Sequence, residues 1–285
     1  MQVDLIGGLH IHYRRRGYAG APLVVFANSL GMDLRIWNGV LSHLGGRIQS
    51  ICYDTRGHGL SDAPPAPYTL DNHIDDLLGL LDHLRIKRAI FCGVAMGGMI
   101  ALGLAARRPG MVRGLVLCDT AHRIGSDEMW NQRIEQIRRY GIERVADSIL
   151  ERWFSKSFRH TVPEAVAGWR NMLVRTPVEG YIGACAALRD ADLTVAAKSL
   201  RLPVDCLCGS EDVATPPDLV QSMADLIAES SFRLVDGAGH LPCIEAADSL
   251  ASAIIAFIKE ISLDKQDRLE EPGYLQASAG RRLSI

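Results

Sequence analysis

Short, largely apolar runs alternate along the chain with longer stretches whose apolar residues recur every three or four positions. Residues 23–27 read Leu-Val-Val-Phe-Ala, and 48–53, 88–92 and 115–118 have the same character. Runs of this kind are expected of strands covered on both faces. Residues 9–16 alternate with period two and predict an early antiparallel strand. Residues 70–84 and 96–107 carry helical spacing, and Pro109 stops the second helix. Strands alternating with helices predict an α/β fold, a mostly parallel twisted sheet flanked by helices.

From residue 123 to 193 the alternation stops. Residues 127–140, 142–153 and 163–170 predict helices with no strand between them. The strand–helix pattern resumes at 204–208, 217–228, 231–235 and 244–261. A core of residues 1–122 and 194–261 is therefore expected to carry a helical cap, 123–193, inserted after the sixth strand. Residues 262–285 are polar, with Pro272, Gly273 and Gly280, and predict a solvated tail or, less simply, an oligomer arm.

Composition narrows the function classes. With 285 residues, 48% apolar and 22% charged, the chain can bury a large core without disulfides or metals. No apolar run approaches the ~18 residues of a membrane span. Met1-Gln2-Val3-Asp4 lacks the basic and apolar regions of a secretory signal, so a cytoplasmic protein is expected. A net charge of −2 with no basic run argues against a nucleic-acid surface. The seven cysteines lie mostly in apolar runs, as buried thiols of a reducing compartment do.

The strongest chemical signal is Gly93-Val94-Ala95-Met96-Gly97, where an apolar run meets a helix. This is the spacing of the nucleophile elbow Gly-x-Ser-x-Gly, with Ala95 at the serine position. The two glycines leave room for a sharp turn. Downstream, Gly209-Ser210-Glu211-Asp212 and Asp236-Gly237-Ala238-Gly239-His240 each follow a predicted strand. Taken alone, Asp212 is also a plausible turn residue and His240 a helix-start residue. Together they give the order elbow, acid, histidine, at strand ends where α/β sheets bind ligands. Asn28-Ser29-Leu30-Gly31 follows residues 23–27 and supplies a candidate oxyanion loop, with the backbone N–H groups of Leu30 and Met96 as donors.

These segments resemble the 3-oxoadipate enol-lactonases of the β-ketoadipate pathway, within the α/β-hydrolase superfamily, over about residues 9–260. The resemblance rests on the Asn28 loop with Trp37, on Tyr53-Asp54-Thr55-Arg56-Gly57-His58-Gly59-Leu60-Ser61-Asp62, and on Met96-Gly97-Gly98. In the cap it rests on Met129-Trp130, Gly180-Tyr181 and Ala187-Leu188-Arg189-Asp190-Ala191-Asp192. It implies a lactone substrate and a Ser-Asp-His mechanism; with no phosphate-binding Gly-x-x-x-x-Gly-Lys-Ser/Thr loop, no dinucleotide Gly-x-Gly-x-x-Gly after the first strand and no zinc spacing, no cofactor is expected. The carboxylate arm of such a lactone implies a cation; Arg133, one turn beyond Trp130, is the candidate, although its spacing also suits a solvated helix arginine. Ser29 and Trp130 are the candidate pocket wall, with ordinary cap packing the alternative for Trp130. Ala95 departs from the family's serine. An introduced Ser-to-Ala change and a natural non-catalytic relative both fit, and the intact Asp212, His240 and cap segments favour the first.

Other chemistry has weaker support. His10 and His12 share a strand face but have no third ligand nearby in sequence, and no zinc spacing occurs. Cys206-x-Cys208 has no matching cluster. His58 is expected to shape its turn. Asp119 is an alternative triad acid. Other carboxylesterases, C–C hydrolases and perhydrolases on the same fold are the enzymatic rivals, and a ligand-binding relative is the non-enzymatic one.

Overall fold

A computed structural model describes residues 1–270, with side chains through residue 262. Eight strands form one sheet: β1 Gln2–Ile6, β2 Leu9–Arg16, β3 Leu23–Ala27, β4 Gln49–Tyr53, β5 Ala89–Val94, β6 Val112–Cys118, β7 Val204–Gly209 and β8 Ser230–Val235. Their spatial order is β1-β2-β4-β3-β5-β6-β7-β8. β1 and β2 pair antiparallel, as do β2 and β4; every other pairing is parallel. β5 is buried along its whole length, which its apolar sequence requires.

The core helices are α1 Asn38–Leu44, α2 Leu70–His83 and α3 Met96–Arg107, followed after the cap by α10 Pro217–Ala224, α11 Pro242–Glu245 and α12 Ala247–Glu270. Between β6 and β7 run α4 Asp127–Tyr140, α5 Glu143–Trp153, α6 Lys156–Thr161, α7 Pro163–Val174, α8 Val178–Asp190 and α9 Thr194–Ser199. Local signals explain several ends. Thr69 and Asn72 close a reciprocal capping box on α2, Ser126 caps α4 at the Met129 N–H, and Gly141, at φ 78°, ends α4.

Three differences from the sequence reading have physical causes. β1 lies at the sheet edge, where Val3 and Leu5 are exposed and only Ile6 is buried, so its five residues carry little of the buried apolar pattern that marks the other strands. α8 is buried from Gly180 to Leu188 and has no polar stripe for periodicity to reveal. Its approach to the core depends on two glycines: a Cβ at Gly57 or Gly180 would strike the other residue's backbone. The helix expected at 244–261 is divided between α11 and α12, because Ala246 leaves helical backbone angles at φ −136°, ψ 50°. The expected tail at 262–285 lies mostly outside the described residues; the α12 backbone runs to Glu270.

Candidate active site

Ala95 stands between β5 and α3 at φ 51°, ψ −116°. A left-handed conformation without glycine costs on the order of 1–3 kcal/mol and persists only where neighbours impose it. Here the Ala95 N–H donates to the Cys118 carbonyl at 3.0 Å, and the Ala95 carbonyl accepts from Thr120 Oγ1 at 2.7 Å and from the Gly98 N–H at 3.0 Å. A Cβ at Gly93 would collide with the Gly97 carbonyl, and one at Gly97 with the Ala27 carbonyl. The tight strand–helix turn thus depends on both glycines read from the sequence.

Asp212 and His240 meet beside this turn. His240 Nδ1 and Asp212 Oδ2 are 2.8 Å apart, both side chains buried. Asp212 Oδ1 accepts the N–H groups of Ala214 and Thr215 at 2.7 and 3.1 Å; Thr215 Oγ1 donates to Oδ2 at 2.7 Å. Burial acts to raise the Asp212 pKa, but the adjacent His240 and these hydrogen bonds outweigh it and hold the carboxyl below the usual range. The His240 N–H donates to the Trp153 carbonyl at 2.9 Å, which fastens the histidine loop to the end of α5. Glu245 strengthens that seam by accepting from Gly239 N–H at 3.1 Å and Ser155 Oγ at 2.6 Å.

The loop after β3 is equally braced. Asn28 Nδ2 donates to the Tyr53 carbonyl at 2.8 Å, and Trp37 Nε1 donates to Asn28 Oδ1 at 2.8 Å. The Gly31 N–H donates to His58 Nε2 at 2.9 Å. His58 is therefore more than a turn former: it holds the loop that carries Ser29 and Leu30. Burial pushes its pKa down to about 4, which keeps the ring neutral and able to accept that hydrogen bond.

Ser29, Leu30, Ala95, Met96, Trp130, Arg133 and His240 line one cavity of about 50 Å³. Every expected position except buried Asp212, which reaches the cavity through His240, is on its wall. Trp130 Nε1 donates to the Ile124 carbonyl at 2.7 Å, which fixes the indole as a wall. The Arg133 guanidinium lies 5.5 Å from the Trp130 ring centroid.

Two further polar residues stand on the wall: Arg152, which the sequence reading did not single out, and Tyr181, which it named only as part of the cap resemblance. Arg152 and Trp153 end α5, and helical spacing from Ile149 puts all three on the cavity side, a usable signal. Burial, and then the charge of Arg133, lower the Arg152 pKa. Neither arginine forms a salt bridge among the described residues. The buried Tyr181 hydroxyl also has no partner. The cap thus brings two cations without acidic partners and the Tyr181 phenol into one small space. Arg35 and Arg189, by contrast, pair with Asp33 and Asp190.

The remaining candidates resolve as structural features. His10 and His12 pair with Asp62 and Asp54 at 3.0 and 2.7 Å. All seven cysteines are free and buried. Asp119, Cys208 and Asp212 each bring a donor atom within 4.8 Å of the others. Both Asp212 oxygens are engaged in hydrogen bonds, so within this cluster Asp212 is the acid of the Asp212–His240 pair. Asp119 has no hydrogen bond to His240 and is not the acid that orients it.

The alpha/beta hydrolase family model matches residues 24–253. The chain is 32% identical to 3-oxoadipate enol-lactonase 2 of Acinetobacter baylyi, over 88% of this chain and 94% of that protein. It is 34% identical to 3-oxoadipate enol-lactonase 1 of the same organism, over 86% of this chain and 91% of that one. The crystal structure of the enol-lactonase from Burkholderia xenovorans LB400 superposes with a TM-score of 0.88 at 37% identity, covering 90% of this chain and all (100%) of that one.

Proposed function

Because the chain belongs to the alpha/beta hydrolase family, we propose that its cavity receives 3-oxoadipate enol-lactone, and that the site is shaped for a serine at position 95. The observation that carries the substrate reading is the pair Arg133 and Arg152, both without an acidic partner, on the wall shared with Ala95 and His240. A small lactone with a carboxylate arm matches that wall, since guanidinium groups bind carboxylates through paired charge-assisted hydrogen bonds. The cavity of about 50 Å³ favours a small ligand. Typical ligand clefts are ~300–1,000 Å³, so cap side chains must yield on binding.

With serine at position 95, Oγ attacks the lactone carbonyl while His240 Nε2 takes its proton. Asp212 holds Nδ1–H and stabilises the imidazolium. The N–H groups of Leu30 and Met96 donate to the developing oxyanion. Collapse breaks the ring C–O bond, and His240 returns the proton to the enol oxygen. Water, deprotonated by His240, then attacks the acyl-serine; the bond to the serine oxygen breaks as His240 returns the proton to it, the acid leaves as a carboxylate, and the enol tautomerises to the 3-oxo acid.

As written, the chain lacks the attacking atom and is inactive in this reading. The strained backbone at Ala95 supports a serine origin, because a methyl group gains nothing from it. Loss of a triad nucleophile costs on the order of 10⁶ in rate in a serine protease. Ala95→Ser is expected to raise enol-lactone hydrolysis at least ~10³-fold. A folded serine form that opens short-chain esters but not the lactone would reassign the site to a carboxylesterase; one inert to both would leave a binding protein.

A further inference from the structure

We propose that Asp119 is held as a neutral carboxylic acid, its proton on Oδ2, and that it is a positioning residue for Asp212. Asp119 is fully buried and follows β6 with φ 45°, a left-handed angle that aspartate tolerates better than most residues. Its N–H donates to the Leu207 carbonyl at 2.8 Å, and its Oδ1 accepts the Gly209 N–H at 2.8 Å. These two bonds clamp the end of β6 to the end of β7. Gly209 in turn accepts the Asp212 N–H at 3.1 Å, so the clamp reaches the triad acid in one step.

Oδ2 of Asp119 has no hydrogen-bond partner. No cation pairs with Asp119 among the described residues. The titratable groups around it are Asp212, Cys208 from β7, Cys118 from β6 and Cys243 from α11, with His240 beyond Asp212. Every near neighbour is acidic or a buried thiol. Two buried carboxyl groups with oxygens within 4.8 Å hold one negative charge more easily than two. Asp212 faces His240 and accepts from Thr215 and Ala214, so the charge rests there. Burial, followed by the charge of Asp212, drives Asp119 toward its protonated form. Asp119 thereby keeps a single anion behind the imidazole while its clamp fixes that anion's place.

The protonation of Asp119 does not depend on which substrate the cavity takes and is tested on the chain as it stands; its positioning role rests on the proposed function and is read in the Ala95→Ser form. Asp119→Asn reproduces the neutral group, with an amide in place of the hydroxyl. At neutral pH the infrared difference spectrum between the two proteins should show one lost protonated-carboxyl C=O band. The midpoint of the His240 imidazole titration, followed by NMR, should stay in place. An ionised Asp119 gives the opposite result: no band is lost, and removing an anion shifts that midpoint to lower pH. If Asp119→Asn does not fold, ¹³C-aspartate labelling of the unaltered chain decides the matter, since no protonated aspartate signal at neutral pH overturns the proposal. In the Ala95→Ser form, Asp119→Leu should lower kcat at least ~10-fold with KM nearly unchanged, and Asp119→Asn should recover most of it. Equal losses from both variants would reduce Asp119 to a packing residue.

Discussion

The Gly31 N–H donates to His58 Nε2 across 2.9 Å, joining the turn after β4 to the loop after β3. The bond requires an unprotonated Nε2, and His58 Nδ1–H has its own acceptor in the Arg56 carbonyl at 3.1 Å. Protonation would put a second hydrogen against the Gly31 N–H. The ring therefore couples the shape of the candidate oxyanion loop to pH.

Stability should fall on acidification from about pH 6.5. Burial lowers His58 to about 4 and His73 to about 3 from an ordinary 6.5, and neither nitrogen of His73 has a partner. Between those values the unfolded chain binds protons that the folded chain refuses. The stabilisation is complete above pH 6.5 and is lost as pH falls toward 4 and 3. For His58 alone the span corresponds to on the order of 3 kcal/mol. Urea unfolding from about pH 7.5 to pH 4.5 measures it. His58→Asn should shallow the dependence, and identical slopes for both proteins would refute the assignment.

The arginine pair should discriminate ligands by charge. Arg133→Met and Arg152→Met are each expected to weaken carboxylate-bearing lactones or acids roughly tenfold to a hundredfold, from about 1.5–3 kcal/mol per charged hydrogen bond. Neutral esters should lose much less. Because the two cations repel one another in the free cavity, the double variant should cost less than the sum of the single ones. Calorimetry on the Ala95 chain gives all four affinities. Equal losses for charged and neutral ligands would place the ligand's carboxylate elsewhere.

Glu245 carries a separate prediction. It accepts from Gly239 N–H, Ser155 Oγ and Ser155 N–H, so one carboxylate ties the histidine loop to the start of α6. Glu245→Ala leaves these partly buried donors unmatched and should cost about 1–3 kcal/mol. The His240 loop should exchange amide hydrogens faster than the sheet does. Uniform exchange across the chain would show that the seam is not a local brace.

The legible parts of the sequence were those where chemistry forces a local pattern. Gly93 and Gly97 had to be small because each faces a carbonyl, and Asp212 and His240 had to follow strands to meet. α3 was readable for its length, from Met96 to the stop before Pro109. What escaped depends on folded partners. Arg152 is an ordinary helix arginine until the cap folds over Ala95, and α8 is a run of small residues until Gly180 meets Gly57. His58 was legible as a turn residue, but its bond to Gly31 spans two separate loops. Asp119 looked like a rival triad acid because sequence gives its strand end and not its distance from His240.

The Ala95 chain should still bind what its serine form would turn over. Exchanging serine for alanine removes one oxygen and leaves Ser29, Leu30, Met96, Trp130, Arg133, Arg152 and His240 around the same space. Ground-state affinity comes from walls and polar anchors, whereas the attacking oxygen contributes chiefly in the transition state. Under the proposed function, the dicarboxylate product would place one carboxylate at the Leu30 and Met96 N–H groups and the other at the arginines. Calorimetry should therefore find similar affinities for 3-oxoadipate in the Ala95 and Ala95→Ser proteins, within about threefold. Ala95→Leu, which fills the space beside His240 with a side chain, should abolish binding while the far-ultraviolet dichroism stays unchanged. A leucine form that binds the product as well as the alanine form would mean that the ligand never reaches the elbow.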